Sequence, residues 1–173
     1  MTGEIWVFGY GSLIWCPGIR SLEKKDDVLD GWHRDWTRIS SSRYGAPTCS
    51  LYPGGKVKGR FYKLDPKTQE EDLTTIKARE GKKGEEVSQS GFEGRILIWK
   101  MGNNLNRFYD LRGLDGEKLY NALAKRAIKV IGNGIDGKNA VEYAFAVHEF
   151  DPDDEITSMY VKEIEKILQL KKE

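Results

Sequence analysis

The sequence has only two cysteines, Cys16 and Cys49, in 173 residues. A secreted chain stapled by disulfides carries a richer, regularly spaced set, so a disulfide framework is excluded as the source of stability. One Cys16–Cys49 bridge stays open, since a sequence does not give the separation of two thiols. No apolar run approaches the roughly 20 residues of a membrane-spanning helix. No leader-like segment opens the chain, because MTGEIWVFGYG goes directly into a strand-like run. Charge of one sign is also lacking: 28 Lys and Arg stand against 27 Asp and Glu, a formal net charge of +1. Such a balance disfavours broad electrostatic capture of nucleic acid or of a membrane surface. A cytoplasmic protein is the expectation. No coiled-coil repeat is present, and a monomer is expected.

What is present is enough for one hydrophobic core. A chain of this length buries most of the surface that its unfolded form exposes. No linker divides it, so a single domain over 1–173 is expected. Glu4–Tyr10 reads as a buried strand ending in glycines. Val28–Ser40 alternates large residues with period two, as a strand does. Ala46–Leu51 and Lys56–Leu64 flank Pro53-Gly54-Gly55 as the arms of a hairpin. Leu64-Asp65-Pro66 marks a helix start, with the helix over Lys67–Lys77. Gly81–Gly91 reads as a polar loop and Gly94–Lys100 as a strand. Gly116–Ile131 carries Leu119, Leu123, Ala127 and Val130 on one helical face. Val141–Phe150 reads as a further strand, and Asp154–Leu170 as a terminal amphipathic helix. Strands precede the long helices, which favours α+β over a doubly wound repeat.

Phe8-Gly9-Tyr10-Gly11-Ser12-Leu13-Ile14-Trp15 is the most informative segment. Glycines at alternate positions permit positive φ and a close approach of backbone to a ligand. Successive amide N–H groups in such a turn form a nest for a carboxylate or phosphate. The dinucleotide fingerprint is excluded, because Ile14 stands where its third glycine belongs. The phosphate-binding Walker pattern is excluded too, since no Gly-Lys-Ser/Thr follows. On pattern alone, an ordinary strand-ending turn remains the alternative.

The string Val7-Phe8-Gly9-Tyr10-Gly11-Ser12-Leu13-Ile14-Trp15 resembles the opening signature of the γ-glutamylcyclotransferase superfamily, and most closely its ChaC-type branch. Gly31-Trp32 with Arg34 and Trp36 is similar to the family's second strand. Ser42-Arg43-Tyr44-Gly45-Ala46-Pro47 resembles its Ser/Arg-Gly-Pro segment, and Gly59-Arg60-Phe61-Tyr62-Lys63-Leu64 its Gly-x-x-Tyr-x-Leu strand. Ala78-Arg79-Glu80 falls where the family carries an Arg-Glu pair. The ordered likeness spans residues 5 to 80. Two departures bear on substrate identity. Ser42-Arg43-Tyr44-Gly45 replaces the usual His-Arg-Gly, and no tyrosine closely follows Glu80.

The resemblance implies a compact barrel-like mixed sheet with flanking helices. It also implies cyclisation of a γ-glutamyl amide to 5-oxoproline with release of the amine, without metal or organic cofactor. The expected partner is a small γ-glutamyl molecule. The nucleophile is the substrate's own α-amino group, so the protein needs no Ser or Cys nucleophile. It must hold the γ-glutamyl chain in a ring-closing geometry and move protons. Glu80 is the candidate acid/base. Gly9, Tyr10, Gly11, Ser12 and Leu13 are the candidate carboxylate cradle, and Arg43 is a further candidate substrate contact. Arg79 is either a cation beside Glu80 or a partner in a structural ion pair. His33 and His148 lack partners at metal-ligand spacing, so no metal site is expected. The rival reading keeps the pocket without turnover, as a binding protein for a γ-glutamyl or other acidic metabolite.

Overall fold

A computed structural model describes residues 3–172. It contains a five-stranded sheet in the order β2-β3-β1-β5-β4, with β1 Ile5–Gly9, β2 Ser21–Ser40, β3 Ala46–Leu64, β4 Glu85–Val87 and β5 Arg95–Ile98. Four helices accompany it: α1 Gln69–Glu80, α2 Gly116–Lys129, α3 Ala140–Phe150 and α4 Glu155–Lys172. The sheet is mixed. β1 pairs antiparallel with β3, placing Val7 opposite Tyr62 and Gly9 opposite Arg60, and parallel with β5, placing Val7 opposite Leu97. The expected α+β class with a mixed sheet is what the chain adopts. Among the described residues no helix is long and apolar enough to cross a membrane.

The chain divides into two compact units. The first runs to His33 and resumes from Pro53 to Lys100. It holds β1, β4, β5, α1 and one portion each of β2 and β3. Ile5, Val7, Leu13, Tyr62, Leu64, Ile76, Leu97 and Trp99 form its buried cluster, with Ile19 and Leu73 packed against it. β1 is buried on both faces, which is why it reads as a continuous apolar run.

The second unit comprises Arg34–Tyr52 and the chain from Met101 onward. Within it α4 packs on α2 and α3. Trp36 is fully buried; its ring lies edge-on to Tyr143 and tilted against Tyr160, and its Nε1 donates to Thr157 Oγ1 at 2.9 Å. Arg34, 1% exposed, donates to Asp151 at 3.0 Å and to Asp154 at 2.7 Å. A charge so buried is retained only when paired.

Several elements differ from the sequence reading. Val141–Phe150 lies in a helix, α3, and is not a strand. Its buried positions Ala140, Tyr143, Ala144 and Val147 follow the helical i, i+3, i+4, i+7 spacing. A capping box starts it: Asn139 Oδ1 accepts the Glu142 N–H at 2.9 Å, and Glu142 Oε1 accepts the Asn139 N–H at 3.0 Å. Pro53-Gly54-Gly55 does not reverse the chain. β3 continues through it, with Gly54 and Gly55 at φ of 101° and 80°, a distortion that glycine tolerates within a strand. The polar Gly81–Gly91 stretch contains β4, which pairs antiparallel with β5. α1 begins at Gln69 and runs to Glu80, so Arg79 and Glu80 form its last turn. Cys16 and Cys49 are not joined in a disulfide.

Candidate active site

The first unit brings together the turn after β1 and the C-terminal end of α1. The turn is a short 3-10 segment, Ser12–Ile14, closed by Ile14 N–H on the Gly11 carbonyl at 2.9 Å and Cys16 N–H on the Ser12 carbonyl at 2.8 Å. Gly9 and Gly11 are not in the positive-φ region that their spacing suggested. The need for glycine at position 9 is one of room. A Cβ there would lie 2.8 Å from Leu13 Cβ, because the turn folds back on the end of β1. Gly59, on the neighbouring strand, is required in the same way: a Cβ would sit 2.5 Å from the Gly9 carbonyl oxygen and closer still to the Phe8 ring.

Side chains from elsewhere in this unit hold the turn by its carbonyls. Tyr62 Oη donates to the Leu13 carbonyl at 2.6 Å and lies 2.9 Å from that of Ile14. Arg60 Nη1 donates to the Ile14 carbonyl at 3.0 Å, while its Nε is paired with Asp26 at 2.6 Å. That guanidinium holds the Asp26 carboxyl below its usual range. Burial raises the Tyr62 phenol to about 12, so it stays a donor through the neutral range. Tyr10 is buried, and its hydroxyl donates to the Trp99 carbonyl.

α1 terminates where Gly81 adopts a left-handed conformation, φ 80°, and donates to the Lys77 carbonyl at 2.8 Å. Arg79, in that last helical turn, donates through Nη2 to Ser12 Oγ at 2.8 Å and through Nη1 to the Cys16 carbonyl. Just beyond the helix, the Lys82 carbonyl accepts from Trp99 Nε1 at 3.0 Å. The indole lies so close to Gly84 that a Cβ there would meet it at 2.7 Å. Glu80, half-buried, therefore sits between two anchored points. Arg79 precedes it and holds Ser12. Lys82 follows it and is held by Trp99, whose own carbonyl holds Tyr10.

Gly9, Tyr10, Gly11, Ser12, Leu13 and Glu80 thus all belong to the first unit. Arg43 belongs to the second. There it pairs with the fully buried Asp136 side chain at 3.0 Å, stacks its guanidinium 4.0 Å above the Tyr143 ring and donates to the Lys138 carbonyl at 3.3 Å. Arg79 donates to the Ser12 hydroxyl and to a backbone carbonyl, that of Cys16. Tyr62, Trp99 and Arg60 were missed as supports of the turn. The Tyr of the Gly59–Leu64 segment carried a sequence signal, whereas Trp99 carried none beyond a strand-like neighbourhood.

Residues 5–104 match the family model described as ChaC-like protein. The glutathione-specific gamma-glutamylcyclotransferase of Escherichia coli K12 is 37% identical over 83 residues, which is 45% of this chain. That aligned stretch spans only 36% of the relative's length. A crystal structure of a gamma-glutamyl cyclotransferase specific to glutathione from yeast superposes with a TM-score of 0.66 at 14% identity, over 95% of this chain and 97% of the other. A second structure of that yeast protein gives 0.63. These structural matches establish the fold, and with a family model covering more than half of its residues, the chain belongs to the ChaC-like family.

Proposed function

We infer that the protein converts a γ-glutamyl amide into 5-oxoproline and a free amine. The observation that carries this reading is the Arg79 guanidinium spanning Ser12 and Cys16, because it joins the turn to the residue next to Glu80. The Gly9–Leu13 turn holds the substrate's α-carboxylate. Tyr62 and Arg60 hold the Leu13 and Ile14 carbonyls at the end of this turn and so fix its conformation. Glu80 accepts a proton from the substrate ammonium. The freed amine attacks the γ-carbonyl carbon and forms the C–N bond of the five-membered ring. Glu80 then returns the proton to the departing nitrogen as the original amide C–N bond breaks, and the second proton shed by the ring nitrogen ends on the released amine as its ammonium. The same carboxylate serves as base and acid, so no net proton is consumed by the protein. Holding the γ-glutamyl chain bent supplies the proximity term.

Glutathione leads the substrate candidates, because the relatives from Escherichia coli and yeast are named for it. The departures at Ser42–Gly45 and after Glu80 keep γ-glutamyl amino acids and amines on the panel. Arg43 is given no substrate atom in this reading, because its guanidinium already engages Asp136 and Tyr143.

The test is 5-oxoproline release from glutathione and several γ-glutamyl amino acids by wild type and Glu80→Gln. Wild type is expected to release it from at least one panel member. Glu80→Gln, with an unchanged circular dichroism spectrum, is expected to lose activity by about 100-fold or more. Full activity in Glu80→Gln would overturn the assignment of the carboxylate. Saturable binding without release by a folded wild type would leave a binding protein instead.

A further inference from the structure

Arg79 reaches the turn with both arms of its guanidinium. Ser12, which receives Nη2 at 2.8 Å, opens the 3-10 segment, and Cys16, whose carbonyl receives Nη1, lies just beyond its end. Cys16 N–H bonds back to the Ser12 carbonyl at 2.8 Å, so the two acceptors bracket one closed loop of backbone. A planar fork that fills two acceptors fixes orientation as well as distance, which a lysine ammonium on a flexible stem does not do. The helix that carries Arg79 is itself stopped by the left-handed Gly81. Glu80 is the next residue. One side chain therefore sets the register between the backbone of Glu80 and both ends of the turn.

We propose that Arg79 is a positioning residue of the reaction. It holds the γ-glutamyl cradle in register with Glu80 and, by donating into the Ser12 oxygen, turns that hydroxyl's own hydrogen away from the guanidinium. This rests on the reaction proposed above. Arg79 acts through Ser12 and the turn backbone and contributes no contact to the substrate.

The experiment compares Arg79→Ala, Arg79→Lys, Ser12→Ala and the Arg79→Ala/Ser12→Ala pair, using whichever γ-glutamyl compound wild type turns over. Misplacement of the two reacting parts is expected to lower kcat of Arg79→Ala by about 10- to 100-fold, with a smaller change in KM. Arg79→Lys is expected to fall between it and wild type. The pH profile of kcat/KM keeps its midpoint, and millimolar guanidinium chloride restores part of the Arg79→Ala rate. Because one arm of the fork acts through Ser12, adding Arg79→Ala to Ser12→Ala costs less than it costs alone. Three results overturn the proposal: a folded Arg79→Ala with unchanged kcat, an effect confined to KM, or a displaced pH midpoint. The second would make Arg79 a substrate contact, and the third an electrostatic partner of Glu80. A rate loss that merely tracks the unfolded fraction, without rescue by guanidinium, overturns it as well. If wild type turns over no panel member, the reaction reading fails by itself. Amide hydrogen exchange at residues 11–16 then decides, since the fork should make these amides exchange faster in Arg79→Ala at matched global stability. Unchanged exchange there overturns the positioning role.

Discussion

Replacing Tyr62 with phenylalanine isolates what holds the turn. The ring is 1% exposed and sits in the cluster with Leu13, Ile76 and Trp99, so Phe keeps the packing and removes a single oxygen. That oxygen donates to the Leu13 carbonyl at 2.6 Å and approaches the Ile14 carbonyl at 2.9 Å. Ile14 retains the Arg60 donor at 3.0 Å, whereas the Leu13 carbonyl loses its phenol. An orphaned buried acceptor costs about 1–3 kcal/mol, and the Arg60 donor that Ile14 keeps lessens the second loss. The expected destabilisation is about 2 kcal/mol, or roughly 1 M in the urea midpoint for an m-value near 2 kcal/mol/M. Urea unfolding followed by circular dichroism measures it, with Tyr109→Phe as the control, because Tyr109 is 89% exposed. KM for the γ-glutamyl substrate should rise in parallel, since the cradle loses its brace. A Tyr62→Phe midpoint indistinguishable from that of Tyr109→Phe would refute the claim that this phenol holds the turn.

Gly59→Ala is expected to be poorly tolerated, because the added methyl would meet the Gly9 carbonyl at 2.5 Å, a backbone atom that cannot swing aside; thermal melts should show a loss of several degrees or an insoluble product, and a wild-type melt would refute the close approach of β3 to β1. Burial raises the Tyr62 phenol to about 12 and pushes those of Tyr120, Tyr143 and Tyr160 up as well. Each folded value lies above the unfolded value near 10, so the stabilisation is complete below about pH 10 and is lost as pH rises beyond it. Absorbance at the tyrosinate band should therefore complete its rise only together with loss of the helical signal, and full ionisation of a still-folded chain would contradict this.

How much of this was legible beforehand depended on whether the signal was local. β1 and the glycine turn are readable because a strand buried on both faces gives an uninterrupted apolar run that ends in glycine. α2 and α4 are readable from amphipathic spacing over three or more turns. Val141–Phe150 misled because VEYAFAVHEF satisfies period two and period 3.6 almost equally well over so short a length. The deciding signal lay just upstream, in the Asn139-x-x-Glu142 pair that closes as a capping box. The boundary of α1 mattered more. Three residues of extension place Glu80 in the helix and let Gly81 end it, and the proline at position 66 pointed to an earlier start and stop. The roles of Arg79 and Trp99 were not legible, and Tyr62 was marked only as part of the Gly59–Leu64 segment, because these roles depend on contacts between residues 17 to 67 positions apart. A strand position predicts that a tyrosine is buried; it does not predict which carbonyl its hydroxyl will meet.

The supports of the turn also bear on how pH should act on the proposed reaction. A cradle braced by a titrating group would loosen over the same range in which the acid/base group changes its protonation, and the two effects would be inseparable in a rate profile. Here the braces are guanidinium groups, from Arg60 and Arg79, and one phenol. Guanidinium stays protonated throughout the range in which proteins fold. Burial keeps the Tyr62 phenol protonated to about 12. Its donor hydrogen is therefore present wherever a carboxylate changes state. The geometry of the turn is thus insulated from the proton transfers that Glu80 is proposed to carry out. It follows that an inflection in kcat/KM above the range in which Asp26, the carboxylate paired with Arg60, takes up its proton reports proton transfer and not distortion of the cradle. Tyr62→Phe should accordingly lower the height of the profile without moving that inflection.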